Sequence, residues 1–175
     1  KRLRRICENA GMPMVVYTAS GAPDDPSWEN VELNKRRMDF AAEMEVDCFM
    51  VMNGPKPDDR PVADDDVTRA AERTEAWAEY GSQYGLTLTY HNHTNLLVDS
   101  VEHWKLFASL LRETKLCIDF SHAQLWGYDP VAAIHDFREQ LHYVHLQDYS
   151  RCTRDERGVY HPTWVDVVQA ESQDF

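Results

Sequence analysis

Basic residues are scarce in this sequence. Its 175 residues include 18 Lys and Arg against 30 Asp and Glu, which gives a formal net charge of -12 at pH 7. Proteins that bind nucleic acids neutralise backbone phosphates with Lys and Arg. The charge balance therefore argues against a nucleic-acid partner.

Long apolar runs and paired cysteines are also absent. No apolar stretch approaches the roughly 18 residues of a membrane span, and the basic start KRLRRI leads into CENAGMP rather than an apolar signal-peptide region. The four cysteines have no CxxC spacing, and Cys48 and Cys117 lie within apolar runs. We therefore expect reduced core thiols in a cytoplasmic protein that has no membrane partner.

Short β-branched and apolar runs alternate along the chain with longer helical patterns. The clearest helical pattern spans 66–84, where apolar residues recur at steps of three and four. Strands that alternate with helices imply a parallel sheet, here in one α/β domain over 1–175. The predicted strands are 14–19, 47–52, 86–91, 115–120 and 141–146.

The predicted connections are short where a helix leads into a strand and long where a strand ends. Barrels of alternating strands and helices carry their functional residues on the loops that leave the strands. The loop at 53–65 is rich in proline and acid, which indicates either a solvated loop or a lid. The other long loops are predicted at 20–28, 92–98, 121–128 and 147–162.

Three of the predicted strands end in a side chain that can bind a metal ion. These residues are His91, Asp119 and His145, and each is separated from the next by about the length of one strand and one helix. Imidazole nitrogen and carboxylate oxygen suit Mn, Mg, Co or Zn. The pattern therefore predicts a divalent metal site at the carboxyl ends of the strands, with His122 close to Asp119.

The segments YHNHTN, IDFSHAQLWG and HYVHLQD together resemble the fifth, sixth and seventh strands of the xylose-isomerase-like barrel superfamily. This superfamily includes sugar phosphate isomerases/epimerases, ketose 3-epimerases and inosose dehydratases. The resemblance implies that Asp119 and His145 are metal ligands and that His122 and Arg151 contact substrate hydroxyls. It also implies a partial (β/α) TIM barrel of about five of the eight βα units, strands 3 to 7 of the family barrel.

The chain departs from the family pattern at three places. His91, within HNH, stands where the family commonly has a glutamate. This variant is similar to that of some inosose-dehydratase-like members. The first two strands and the eighth strand, with its glutamate ligand, are expected to be missing. In the closing segment, Val168 and Ala170 stand where a turn would have glycines. We accordingly expect an internal piece of a barrel that is inactive and only marginally folded by itself.

For the complete barrel, the resemblance implies a metal-dependent sugar or inosose isomerase, epimerase or dehydratase that removes a proton next to a carbonyl. His91, His93 and His122 are the candidates for acid and base. Asn53 and Trp126, on strand-leaving loops, are further candidates for contact with a sugar, ketose or inosose. The alternatives are a degenerate barrel that binds a polyol or a partner without turnover, and cleavage of apurinic DNA, which the acidic charge disfavours. A homo-oligomer is left open.

Overall fold

The computed structural model describes residues 2–19 and 22–165. Five parallel strands form one sheet in the order β1-β2-β3-β4-β5. Each neighbouring pair is connected through helix, as expected for βαβ units. The strands are β1 (Val16–Thr18), β2 (Cys48–Val51), β3 (Thr87–His91), β4 (Lys115–Asp119) and β5 (Leu141–His145).

All five strands lie within the ranges predicted from the sequence, and the half-barrel that they form confirms the expected fold class. The closing residues 166–175, which include Val168 and Ala170, lie outside the described part of the chain. The helices are α1 (Arg2–Asn9), α2 (Trp28–Glu43), α3 (Asp64–Ser82), α4 (Val101–Leu110), α5 (Phe120–Leu125) and α6 (Pro130–Phe137).

Side chains that can hydrogen-bond to the backbone set where the helices begin. Ser100 accepts the N–H of His103 at 3.2 Å and therefore caps α4. Asp129 caps α6 ahead of Pro130. These caps fix where the connections from β3 and β4 give way to helix.

The sheet has one face covered by helices and a second face that carries small and polar side chains. On the covered face, Tyr90 and Leu116 belong to the same buried cluster as Trp104 and Phe107 of α4. On the other face, the Cys48 thiol donates to Thr89 Oγ1 at 3.1 Å. Cys48 and Cys117 are free, and burial raises the pKa of both thiols, so they stay protonated and reduced, as expected.

Two segments predicted as loops are regular structure, and these predictions were wrong. Within 121–128, the chain turns directly from β4 into α5, because the Asp119 carboxylate accepts the N–H of His122 and caps that helix. Within 147–162, the chain forms most of an antiparallel hairpin of β6 (Asp148–Arg154) and β7 (Tyr160–Val165). The connection between β2 and α3 is a loop, as predicted.

No helix among residues 2–19 and 22–165 combines the length and the apolar character that crossing a membrane requires.

Candidate metal centre and proton-transfer site

The last residues of three adjacent strands meet at the carboxyl edge of the sheet. Asp119 of β4 is in register with His145 of β5, and His91 of β3 is in register with Cys117 two residues before Asp119. Asp119 Oδ2 lies 3.3 Å from His91 Nε2 and 3.7 Å from His145 Nδ1. The structure thus brings the three predicted metal ligands together around one carboxylate oxygen.

The other carboxylate oxygen of Asp119 is already hydrogen-bonded. Oδ1 accepts the Ser121 hydroxyl at 2.9 Å and the N–H of His122 at 3.2 Å. Burial by itself would raise the pKa of Asp119. The hydrogen bonds that Asp119 receives from the His91 side chain and the His122 backbone, together with the nearby His91 and His122 rings, outweigh burial and hold that pKa below its ordinary value. Asp119 is therefore a fully buried anion that presents Oδ2 to the two histidines.

The donor set fits a divalent ion, and the two spacings around Asp119 Oδ2 are close to those that coordination requires. His145 nevertheless lies outside the group of donor atoms within 4.8 Å of one another, which consists of His91, Asp119 and His122. Two ligand atoms at about 2.1 Å from a common ion lie roughly 3.0 to 3.4 Å apart at octahedral or tetrahedral angles. The separation between Asp119 Oδ2 and His91 Nε2 is within this range, and that to His145 Nδ1 exceeds it by a few tenths of an ångström. Burial and the neighbouring His91 lower the pKa of His145, which favours the neutral imidazole that metals bind.

His122 is also close enough to be considered a ligand. One donor atom each from His91, Asp119 and His122 lie within 4.8 Å of one another. His122 Nδ1, however, accepts the N–H of Thr94 at 3.3 Å, and burial lowers the pKa of His122 to about 3. In a neutral ring whose Nδ1 accepts, the proton is on Nε2, so Nε2 is a hydrogen-bond donor rather than a metal ligand. Contact of His122 with substrate hydroxyls stays a prediction.

His93 has the opposite tautomer. Its Nδ1 lies 2.7 Å from the carbonyl oxygen of Thr94, which can only accept, so Nδ1 carries the proton and Nε2 has a free lone pair. Burial lowers the pKa of His93 and keeps the ring neutral. The rings of His93 and His122 are 4.0 Å apart between centroids. The site therefore places a proton acceptor beside a hydrogen-bond donor, next to the His91–Asp119–His145 group.

The other predicted substrate contacts lie at different places around this edge. Asn53 is buried after β2, with Nδ2 at 3.5 Å from Asp24 Oδ1. Arg151 is exposed on β6, in register with Thr163. Trp126 donates its indole N–H to Asp99 Oδ1 at 2.9 Å. Contact of Asn53, Arg151 and Trp126 with substrate stays a prediction.

Sequence reasoning did not identify two residues that the structure places in or around the site. Thr94 sets the tautomers of two histidines through its backbone, and Asn92 binds the backbone of Asp119. The run HNHT contains both residues, and polar residues directly after a strand are the signal that could have found them. A tryptophan also reaches the site, since the ring centroid of Trp164 lies 5.2 Å from that of His122.

Comparison with known proteins identifies the family of this chain. A family model described as xylose isomerase-like TIM barrel matches residues 1–170. Inosose dehydratase of Geobacillus kaustophilus is 34% identical over 95 residues, which are 53% of this chain and 27% of that protein. The chain is thus matched to about a quarter of the length of this curated relative.

Solved structures support the same fold. A xylose isomerase domain protein from Planctomyces limnophilus superimposes with a TM-score of 0.75 at 16% identity, over 98% of this chain and 67% of that one. A sugar phosphate isomerase/epimerase from Parabacteroides distasonis does so with a TM-score of 0.68 at 20% identity, over 85% and 57%. At these identities the likeness shows the fold alone. Because the family model covers nearly the whole chain, the protein belongs to the xylose isomerase-like TIM barrel family.

Proposed function

We propose that this protein acts on a sugar or inosose as a divalent-metal-dependent isomerase, epimerase or dehydratase, by removing a proton next to the substrate carbonyl. The observation that carries the proposal is the position of Asp119 Oδ2 between His91 Nε2 and His145 Nδ1. These three residues would hold the ion. When bound, it would supply a Lewis acid that polarises the carbonyl and makes the adjacent C–H acidic.

His93 is the proposed base. Its Nδ1 proton is held by the Thr94 carbonyl, so Nε2 takes the proton from carbon. Return of that proton to the neighbouring carbon, together with transfer of the hydroxyl proton to the former carbonyl oxygen, gives isomerisation. Reprotonation of the same carbon from the opposite face gives epimerisation. Delivery to a departing β-hydroxyl forms water and gives dehydration. His122, with its proton on Nε2, donates a hydrogen bond to a substrate oxygen and orients it.

Within this class we favour dehydration of an inosose. The similarity to the Geobacillus inosose dehydratase supports this choice, as does His91 in place of the glutamate common in the family. A single histidine base that both receives the proton and passes it to a leaving hydroxyl is sufficient for this reaction. The step is balanced, since the substrate loses one proton and one hydroxide and the base is regenerated.

Calorimetry with Mn²⁺ and Zn²⁺ tests the metal site. We expect micromolar binding to the wild-type protein and loss of binding in Asp119→Ala and His145→Ala. His142→Ala is the matched control, because His142 lies on the same strand as His145 but is exposed. Circular dichroism verifies that each variant is folded. A folded wild-type protein that binds neither ion contradicts the proposal.

Proton exchange tests the chemistry. In D₂O, the metal-loaded protein should replace the C–H proton next to the carbonyl of an inosose, as followed by NMR. His93→Gln should slow this exchange on the order of 10² to 10⁴-fold and leave metal affinity unchanged. Metal binding without any exchange or turnover, over a panel of inososes and ketoses, would favour the non-catalytic polyol-binding module instead.

A further inference from the structure

The β6–β7 hairpin presents an aromatic side chain to the proton-transfer site. Trp164 of β7 packs edge-to-face on His122, with ring centroids 5.2 Å apart and an interplanar angle of 73°. Its cross-strand partner Tyr149 lies edge-to-face against it at 6.4 Å. Trp164 is nevertheless 40% exposed, so a large part of the indole is open to solvent beside a histidine predicted to contact substrate.

The other tryptophan near this edge of the sheet is held differently. Trp126 packs edge-to-face on Trp104, with ring centroids 5.6 Å apart, and its N–H is bound by Asp99. It is half-buried and packs against the core cluster that contains Trp104. Trp164 is therefore the tryptophan of the two that has an open indole surface next to the histidines.

Asn95 holds the hairpin in this position. Its Nδ2 donates to the carbonyl of Tyr160 at 2.9 Å, and its Oδ1 accepts the N–H of Tyr160 at 2.8 Å. The side-chain amide thus forms the pair of hydrogen bonds that a neighbouring strand would form. Asn95 has a left-handed backbone conformation, with φ of 67°, which asparagine tolerates better than most residues. Its own N–H donates to Asp99 at 2.9 Å.

We infer that Trp164 is the surface on which one face of a cyclic polyol stacks, and that Asn95 is the residue that positions it. This inference rests on the proposed function and narrows its substrate class. The indole has a broad, flat, apolar face. A six-membered ring with equatorial hydroxyls presents only C–H groups on its faces, which match that surface. An open-chain polyol has no rigid apolar face and loses torsional freedom when it binds.

The test compares two uncharged probes, myo-inositol and D-sorbitol, which each have six carbons and six hydroxyls and differ in being cyclic or open. Binding is measured by NMR titration, with the indole N–H signal of Trp164 as one reporter. We expect wild type to favour myo-inositol. Trp164→Ala should lower its affinity for myo-inositol on the order of three- to tenfold and leave that for sorbitol within about twofold.

Trp77→Phe is the control, because it changes a buried tryptophan of α3 that packs in a different core cluster and should keep the preference for myo-inositol. Trp164→Phe should retain part of the preference for myo-inositol over sorbitol. The inference is overturned if wild type does not discriminate between the probes, or if Trp164→Ala retains the full preference.

A double-mutant cycle tests Asn95. Asn95→Ala should remove most of the preference, and Trp164→Ala combined with Asn95→Ala should remove no more than Trp164→Ala alone. If Asn95→Ala does not fold, Asn95→Asp replaces it, since this variant keeps the acceptor for the Tyr160 N–H and loses the donor. Faster hydrogen exchange at the Tyr160 amide reports release of the hairpin. Additive losses in the cycle overturn the positioning role.

Metal binding separates this inference from the proposed function. Both Trp164→Ala and Asn95→Ala should bind Mn²⁺ as wild type does. If wild type binds no metal but shows a Trp164-dependent preference for myo-inositol, the proposed function fails and the stacking surface stands. If metal binds and proton exchange occurs but the preference does not depend on Trp164, the stacking surface fails alone.

Discussion

Asn92 and Asp119 bind each other across the ends of β3 and β4. Asn92 Nδ2 donates to the carbonyl of Asp119 at 3.1 Å, and the N–H of Asp119 donates to Asn92 Oδ1 at 2.7 Å. Both residues are fully buried. The central carboxylate of the candidate metal site is therefore fixed to the strand that carries His91, and its backbone polar groups are satisfied at the point where β4 turns into α5.

Asn92→Ala should weaken both stability and metal binding. It leaves a buried N–H and a buried C=O of Asp119 without their side-chain partner, which costs about 1 to 3 kcal/mol for each such group. We expect a lower urea midpoint and a reduced affinity for Mn²⁺. Asn30→Ala is the matched control, because Asn30 Nδ2 also binds backbone carbonyls, those of Ala22 and Asp25. That variant should lose stability and keep the metal affinity, so equal affinities in the two variants would contradict the role of Asn92.

The pH dependence of the unfolding free energy should show that the His122 ring is buried in its neutral form. Its folded pKa of about 3 is below the ordinary value of 6.5, because burial disfavours the charged ring. Between these values the unfolded chain binds a proton that the folded protein does not, so stability falls as the pH decreases from 6.5. The slope for one such group is at most about 1.4 kcal/mol per pH unit.

His122→Gln should make the stability profile less steep between pH 6.5 and about 4.5, above the range where carboxylates titrate. His93 and His145, whose pKa values burial also lowers, leave a residual slope. Urea unfolding of the metal-free protein at several pH values measures this slope. His142→Gln, at an exposed position, should leave the profile unchanged. A slope that is the same in His122→Gln as in wild type would show that the ring is not buried neutral.

Asp99 connects three segments around the site. Its Oδ1 accepts the N–H of Asn95 and the indole N–H of Trp126, both at 2.9 Å, and Oδ2 pairs with Lys56. Asp99→Asn should therefore destabilise the protein by about 1 to 3 kcal/mol, since a buried carboxylate that serves three donors becomes an amide. Glu139→Gln removes only the exposed ion pair with Arg138 and should cost less than about 1 kcal/mol. Urea midpoints that fall equally in both variants would contradict this ranking.

The strand ends could be predicted from the sequence, whereas the protonation pattern could not. His91, Asp119 and His145 follow apolar runs at a spacing that repeats, and parallel strands necessarily bring such residues to one edge. The tautomers of His93 and His122 depend on which backbone group of Thr94 each ring meets, and this is decided by the path of the chain after β3. No residue type or spacing encodes that path.

The three regular elements that were not predicted, α5, β6 and β7, have weak local signals. Helix α5 has six residues, too few for a helical period to be visible, and it begins directly after Asp119, whose carboxylate caps it. Strand β6 has mostly exposed or half-buried residues after its first position, so it lacks the alternation of a half-buried strand. Its pairing with β7 and the hydrogen bonds of Asn95 to Tyr160 are tertiary features.

A buried carboxylate on α3 fixes the chain where it enters β4. Glu75 accepts the N–H groups of Glu113 at 2.9 Å and of Thr114 at 3.0 Å, through its two different oxygens. Burial by itself would raise the pKa of Glu75, but these hydrogen bonds outweigh it and hold the pKa below its ordinary value. The ionised form is therefore the one that stabilises the fold.

Glu75→Gln should destabilise the protein at neutral pH, because a charged acceptor that receives two N–H groups is replaced by an amide with one oxygen. Since the folded pKa is lowered, the contribution of Glu75 is fully present above its unfolded pKa of about 4.3 and is lost as the pH falls through the folded value. The difference in unfolding free energy between wild type and Glu75→Gln should thus be constant from pH 7 to about 5.5 and should shrink below about 4.3. Glu72→Gln, on the same helix at an exposed position, is the control and should show no such dependence. A difference that stays constant down to pH 3 would mean that the carboxylate charge contributes nothing at this turn.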